Sequence, residues 1–229
     1  MNKQEMEVLV FDALSSLGDL GDTVKIALGY IAMNDKAHDY DHVLWVTANA
    51  IQLVDKVEKA KPFRNEIILA AFLHDIGCHL DRKKHEIVGM ELTEMLFEYQ
   101  IKAPIDRELV VRAIGEHRAS YGGHRYHIVS EVVAAADKGA PDARKIIKRM
   151  MEYRLNNRHY PLTGKESVKA ECLYHLKEKY STEGYLLSHA TPLYMELYGE
   201  EQRKIAAFID DDSNTIPLIN ELYDQIFNK

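Results

Sequence analysis

Few features of this chain would staple, kink or anchor a polypeptide. It has two cysteines, Cys78 and Cys172, far apart in 229 residues. No CxxC zinc or thiol-redox motif can be built from them, and a disulfide is not expected in a reducing compartment. No apolar run approaches the ~20 residues that span a bilayer. The first residues, MNKQEMEVLVFDALSSLG, carry acidic groups where a secretory signal needs a basic start and a clean apolar stretch. A cytoplasmic location with no membrane partner is the expectation. Positive charge is also in short supply. Lys and Arg number 29 against 36 Asp and Glu, for a net charge of -7. That balance argues against binding a nucleic acid duplex, which needs clustered cations to neutralise phosphates. A small anionic phosphorylated substrate stays compatible, because a bound metal ion can supply positive charge locally.

Six prolines and 12 glycines leave room for long helices, and alternating strand-like runs are scarce. The apolar positions repeat with helical spacing. Val43, Val46, Ala50 and Leu53 share one face, and so do Val88, Leu92, Met95 and Leu96. The same holds for Ile105, Leu109, Ala113 and Ile114, and for Ile128, Val129, Val132, Val133 and Ala136. Breaks are expected at Gly18–Gly21, Lys61-Pro62, Gly77, Lys102-Ala103-Pro104 and Gly122-Gly123. Pro141 is expected in the first turn of a helix. A polar connection is expected over 156–164, then two or three helices from about Ser167 to Phe227. The reading is an all-α chain forming one domain over 1–229, with a core at about 35–145 and a C-terminal helical extension at about 150–229.

The chemistry is concentrated in LAAFLHDIG, residues 69–77. An apolar helix there ends in adjacent His74 and Asp75. Burying an imidazole beside a carboxylate costs several kcal/mol unless both find partners. A metal ion partners the imidazole nitrogen and the carboxylate oxygen together. His42, in AHDYDHVLWV, and Asp137, closing EVVAAAD, are likewise polar groups set into apolar helical faces. The four form a His, His-Asp, Asp set that leaves positions open for water and substrate on a Mn, Fe, Co, Ni or Mg ion.

This order of motifs, with HDIG intact, resembles the HD-domain superfamily of metal-dependent phosphohydrolases. AHDYDHVLWV is similar to the first-ligand segment of its small nucleotide pyrophosphohydrolases, with His42 at the ligand position and His38 one turn earlier. The resemblance implies an all-α helical bundle and one or two divalent ions. It also implies that His85 and His117 bind a second ion, with Asp75 bridging. The implied reaction is hydrolysis of a phosphoester or phosphoanhydride in a nucleotide or small metabolite by a metal-activated hydroxide. Asp75 and His117 are catalytic candidates through the metal. Arg118 and Lys138, each following a ligand, are candidate phosphate contacts, with Arg144 behind them. GGHRYH, residues 122–127, is read as a mobile loop that could supply Arg125 or His124. Cys78 stands where many two-metal relatives carry Lys. The same six ligands also fit the mixed-valence di-iron HD oxygenases that cleave C–C or C–P bonds. A non-catalytic metal-binding regulatory module is the third alternative. A homodimer is the base-rate expectation for assembly.

Overall fold

The computed structural model describes residues 1–156 and 164–227. Among these the structure is helical, with no strand, as the periodicity predicts. The expected polar connection over 156–164 falls almost wholly outside the described residues. The chain gathers into two compact units, Met1–Gly139 and Ala140–Lys229. The division falls five residues before the core boundary expected at about 145.

The first unit contains α1 (Lys3–Ser15), α2 (Thr23–Ile31), α3 (Tyr40–Lys56), α4 (Arg64–Leu73), α5 (His85–Tyr99), α6 (Arg107–Glu116) and α7 (Ile128–Lys138). α4 is the axis of this unit. Ile67 through Leu73 are all fully buried, and α3, α6 and α7 pack around it. A helix buried on every side needs apolar residues all round, and α4 has them. α3 is capped by Asp39, whose carboxylate accepts from the amides of Asp41 and His42 at 3.1 and 3.3 Å. It ends at Lys56, earlier than Lys61-Pro62. Pro62 lies inside a short 3-10 helix, Glu58–Phe63, whose fixed φ suits that tighter turn better than a continuing α-helix.

Two boundaries differ from the expectations. α6 starts at Arg107, capped by the Asp106 carboxylate on the Leu109 amide at 3.2 Å. Ile105 is therefore a buried loop residue. The inward face of α5 is His85, Gly89, Thr93 and Leu96. Of the expected stripe, Leu96 is buried on this face, whereas Val88, Leu92 and Met95 lie beside it, and Met95 is 56% exposed. The reason is close approach. A Cβ on Gly89 would lie 3.0 Å from Ile114 Cγ2, and one on Gly77 would lie 2.5 Å from the His85 carbonyl. Small residues let α5 seat against the turn after α4, and that seating sets its rotation. At the end of α7, Gly139 adopts φ 65° and a Cβ there would collide with Trp45.

The second unit contains α8 (Ala143–Asn156), α9 (Lys165–Tyr180), α10 (Tyr185–Ser188), α11 (Pro192–Asp210) and α12 (Asp212–Phe227). Pro141 precedes α8 rather than sitting in its first turn. The unit has its own core, with Ile147, Met151, Leu176, Ile209 and Leu222 inside. Tyr194 is buried and donates to Gln202 Oε1 at 3.1 Å, a packing role. Arg144, expected near the substrate, pairs within this unit with Glu221 through two bonds of 3.1 and 2.6 Å.

Gly77→Ala is expected to destabilise the protein by about 1–3 kcal/mol, because the clash is with backbone rather than with a side-chain end. Urea denaturation followed by circular dichroism checks this. An unchanged midpoint would show that the turn is free to move away from α5.

Candidate metal centre

Four helices and one turn of the first unit deliver polar side chains to a single point. His74 and Asp75 follow α4 at the start of a tight turn. His42 comes from the first turn of α3, His85 from the first residue of α5, His117 from the end of α6, and Asp137 from the last turn of α7. His74, Asp75, His85 and His117 are all buried, and the His42 side chain is 7% exposed.

The six residues form two groups that share Asp75. His42 Nε2 and His74 Nε2 lie 3.4 Å apart, at 3.4 and 3.1 Å from Asp75 Oδ2. Asp137 Oδ1 joins them at 3.2 Å from His42 Nε2 and 3.9 Å from His74 Nε2. On the other side, His85 Nε2 and His117 Nε2 lie 3.1 Å apart, at 3.4 and 3.7 Å from Asp75 Oδ1. Donors bound ~2 Å from one ion lie roughly 3–4 Å from each other, so both spacings suit a metal.

Hydrogen bonding behind the rings points the same way. Nδ1 of His74 donates to the Ala71 carbonyl at 2.8 Å and Nδ1 of His117 to the Ile114 carbonyl at 2.6 Å. A carbonyl only accepts, so the proton of each of these rings, when neutral, is at Nδ1 and the lone pair at Nε2. His85 Nδ1 lies between the Arg82 carbonyl at 3.1 Å and the Arg82 guanidinium at 3.3 Å, and its Nε2 faces the His117 lone pair at 3.1 Å. Asp75 Oδ2 is buried and accepts no well-formed hydrogen bond from the described residues. Such an arrangement is costly when empty of positive charge.

Electrostatics follow from this crowding. Burial alone would push the Asp75 and Asp137 carboxyls up, yet the surrounding imidazoles hold both well below the usual carboxylate range. Burial opposes charge on His74 too, but Asp75 and Asp137 outweigh it and raise that imidazole to about 9. Burial and His117 lower His85 to about 3. Burial and Asp75 push the Cys78 thiol up.

Other expected residues are placed differently. Arg118 donates to the Lys83 carbonyl at 2.8 Å and to both Glu86 oxygens at 3.0 and 2.9 Å. Lys138 follows Asp137, and its ammonium nitrogen is out of solvent. The 122–127 stretch is tied down. Arg125 is buried, donating to the carbonyls of Glu116 and Arg118 at 2.8 and 2.7 Å, while His127 caps α7. Arg125 therefore serves the end of α6 rather than a loop over the cleft. His124 packs edge-on to Tyr126.

Three residues at the rim escaped the sequence reading. Arg82 looked like part of a solvated charge run, but it donates to His38 Nε2 at 2.8 Å and lies 3.3 Å from Asp35. Asp35 in turn accepts from His38 Nδ1 at 2.7 Å. Asn34 donates to the carbonyls of His38 and Asp75 at 3.0 and 3.1 Å, joining the approach to α3 to the turn after α4. The proximity of His38 to His42 in sequence was the only available signal.

A metal at His74 must displace its Nε2 proton. Apparent affinity is therefore expected to rise with pH from the ordinary imidazole value of 6.5 toward about 9, where the metal-free ring loses that proton unaided. Calorimetric titration in buffers of different ionisation enthalpy counts the protons released. Affinity that is flat over this range would overturn the assignment of that proton.

A family model described as HD domain matches residues 39–211, most of the chain and every proposed ligand. No curated protein and no solved structure matches it. With HDIG at the end of the buried α4 and the other candidate ligands arriving in order from their own helices, the chain belongs to the HD-domain family.

Proposed function

We propose that the protein is a metal-dependent phosphohydrolase acting on a phosphoester or phosphoanhydride bond of a nucleotide or small phosphorylated metabolite. The observation that carries this reading is the division of Asp75. One oxygen belongs with His42 and His74 and the other with His85 and His117. His42, His74, Asp75 and Asp137 would hold one divalent ion, and Asp75, His85 and His117 a second. When bound, such ions supply Lewis acidity toward a phosphoryl oxygen and lower the pKa of water to near neutrality. Membership of a family composed mostly of metal-dependent hydrolases supports the same class.

The chain's own contribution is preorganisation. Backbone carbonyls hold His74 and His117 in one tautomer and one orientation, so little reorganisation is required when charge develops. The neighbouring cations balance an anionic substrate. Lys138 beside Asp137 is the candidate on one side. Arg118 takes that role only by leaving Glu86, and while paired it positions Glu86, whose Oε2 lies 3.7 Å from His85 Nδ1.

Metal-stripped protein, assayed against phosphomonoesters, phosphodiesters and nucleoside triphosphates, is expected to regain hydrolysis with Mn, Mg, Fe, Co or Ni. Asp75→Ala is expected to lower kcat/KM by more than about 100-fold, beyond the loss usual for a supporting residue, and to lose both ions by elemental analysis. His117→Ala is expected to keep one. Two bound ions without hydrolysis of any substrate would overturn the reading, and oxygen uptake by the iron-loaded protein would replace it with oxygenase chemistry.

A further inference from the structure

One donor at the second cluster differs in kind from the rest. Cys78 lies in the turn that carries His74 and Asp75, with its side chain buried. Its Sγ donates to Asp75 Oδ1 at 3.2 Å, the same oxygen that lies beside His85 and His117. Donor atoms of Asp75, Cys78 and His85 all fall within 4.8 Å of one another. The buried Nε2 atoms of His85 and His117, 3.1 Å apart and at 3.4 and 3.7 Å from Asp75 Oδ1, independently converge on this point at the spacing of donors to one ion.

We propose that Cys78 binds the second ion as a thiolate, giving that position two imidazole nitrogens, one carboxylate oxygen and one sulfur. This rests on reading Asp75, His85 and His117 as metal ligands, and does not depend on hydrolysis. Ligation replaces the S–H bond with a sulfur–metal bond. The proton leaves to solvent and no electron is transferred. The two halves of the centre then differ in softness. His42, His74, Asp75 and Asp137 offer nitrogen and oxygen only, whereas a thiolate favours Zn, Co or Fe over Mg or Mn. The position with sulfur therefore selects its metal more narrowly. The competing role is a buried thiol that only donates to Asp75 and packs as a small apolar group.

The two roles differ in their spectra. Cobalt(II) titrated into the metal-stripped full chain is expected to give visible ligand-field bands and, as the second position fills, a near-ultraviolet sulfur-to-cobalt charge-transfer band. Cys78→Ser is expected to remove that band, keep the ligand-field bands, and weaken binding of the second equivalent by at least about 10-fold. Cys172→Ser, altering the other cysteine, is expected to keep it. A wild-type protein that binds cobalt without the band overturns the proposal, as does saturation at one equivalent without it or a band that survives Cys78→Ser. The wild-type spectrum decides even where Cys78→Ser fails to fold. Hydrolysis without the band would sink the thiolate and leave the hydrolase reading standing. The band without hydrolysis would do the reverse.

Discussion

A carboxylate buried in a helical core is unstable unless something positive meets it, and Asp75 is met from every side by imidazole. Its burial is complete to within 1%. Four histidines from four places in the chain lie within 3.7 Å of its two oxygens. That requirement organises the first unit. α4 must be apolar on all faces to carry Asp75 inside, and α3, α5 and α6 must each end or begin where their histidines can reach it. The backbone carbonyls of Ala71 and Ile114 complete the arrangement by fixing which nitrogen of His74 and His117 faces inward.

Small residues translate this requirement into geometry. Gly77 brings the turn after α4 against the backbone of α5 at a distance no Cβ would permit, and Gly89 lets α5 lie close to Ile114 of α6; His85 reaches Asp75 in this setting. Gly139 plays a similar part at the end of α7, where its positive φ and the face of Trp45 leave no room for a Cβ. The glycines here act by what they omit, and the precision of the centre depends on them as much as on the ligands.

Much of this was legible in the order of residues. His74-Asp75 at the end of an apolar run, with His42 and Asp137 each breaking an apolar face, declares a polar focus from sequence alone. The helical periodicity placed α3 and α7 well. It misjudged α5, because Val88, Leu92 and Met95 form a plausible stripe and only close glycine contacts show that the neighbouring one is buried. The basic residues were the least legible. Arg82 and Arg118 both sit in charged surroundings, and whether such a side chain reaches a carboxylate or a site depends on tertiary neighbours distant in sequence. Arg125 looked like a loop cation, yet it holds the loop in place. Asn34 carried no signal, since its two carbonyl partners come together only after folding.

A carboxylate has one negative charge to share. An ion drawing on Oδ2 of Asp75 leaves Oδ1 a poorer donor, and two cations separated by one such group also repel each other. With two ions held as proposed, filling one half would oppose filling the other, and reciprocally so, since the coupling is a property of the pair. A half-filled protein would then be a distinct species over a wide span of metal concentration, and the abundance of metal around the molecule would set how many of its copies carry a complete centre.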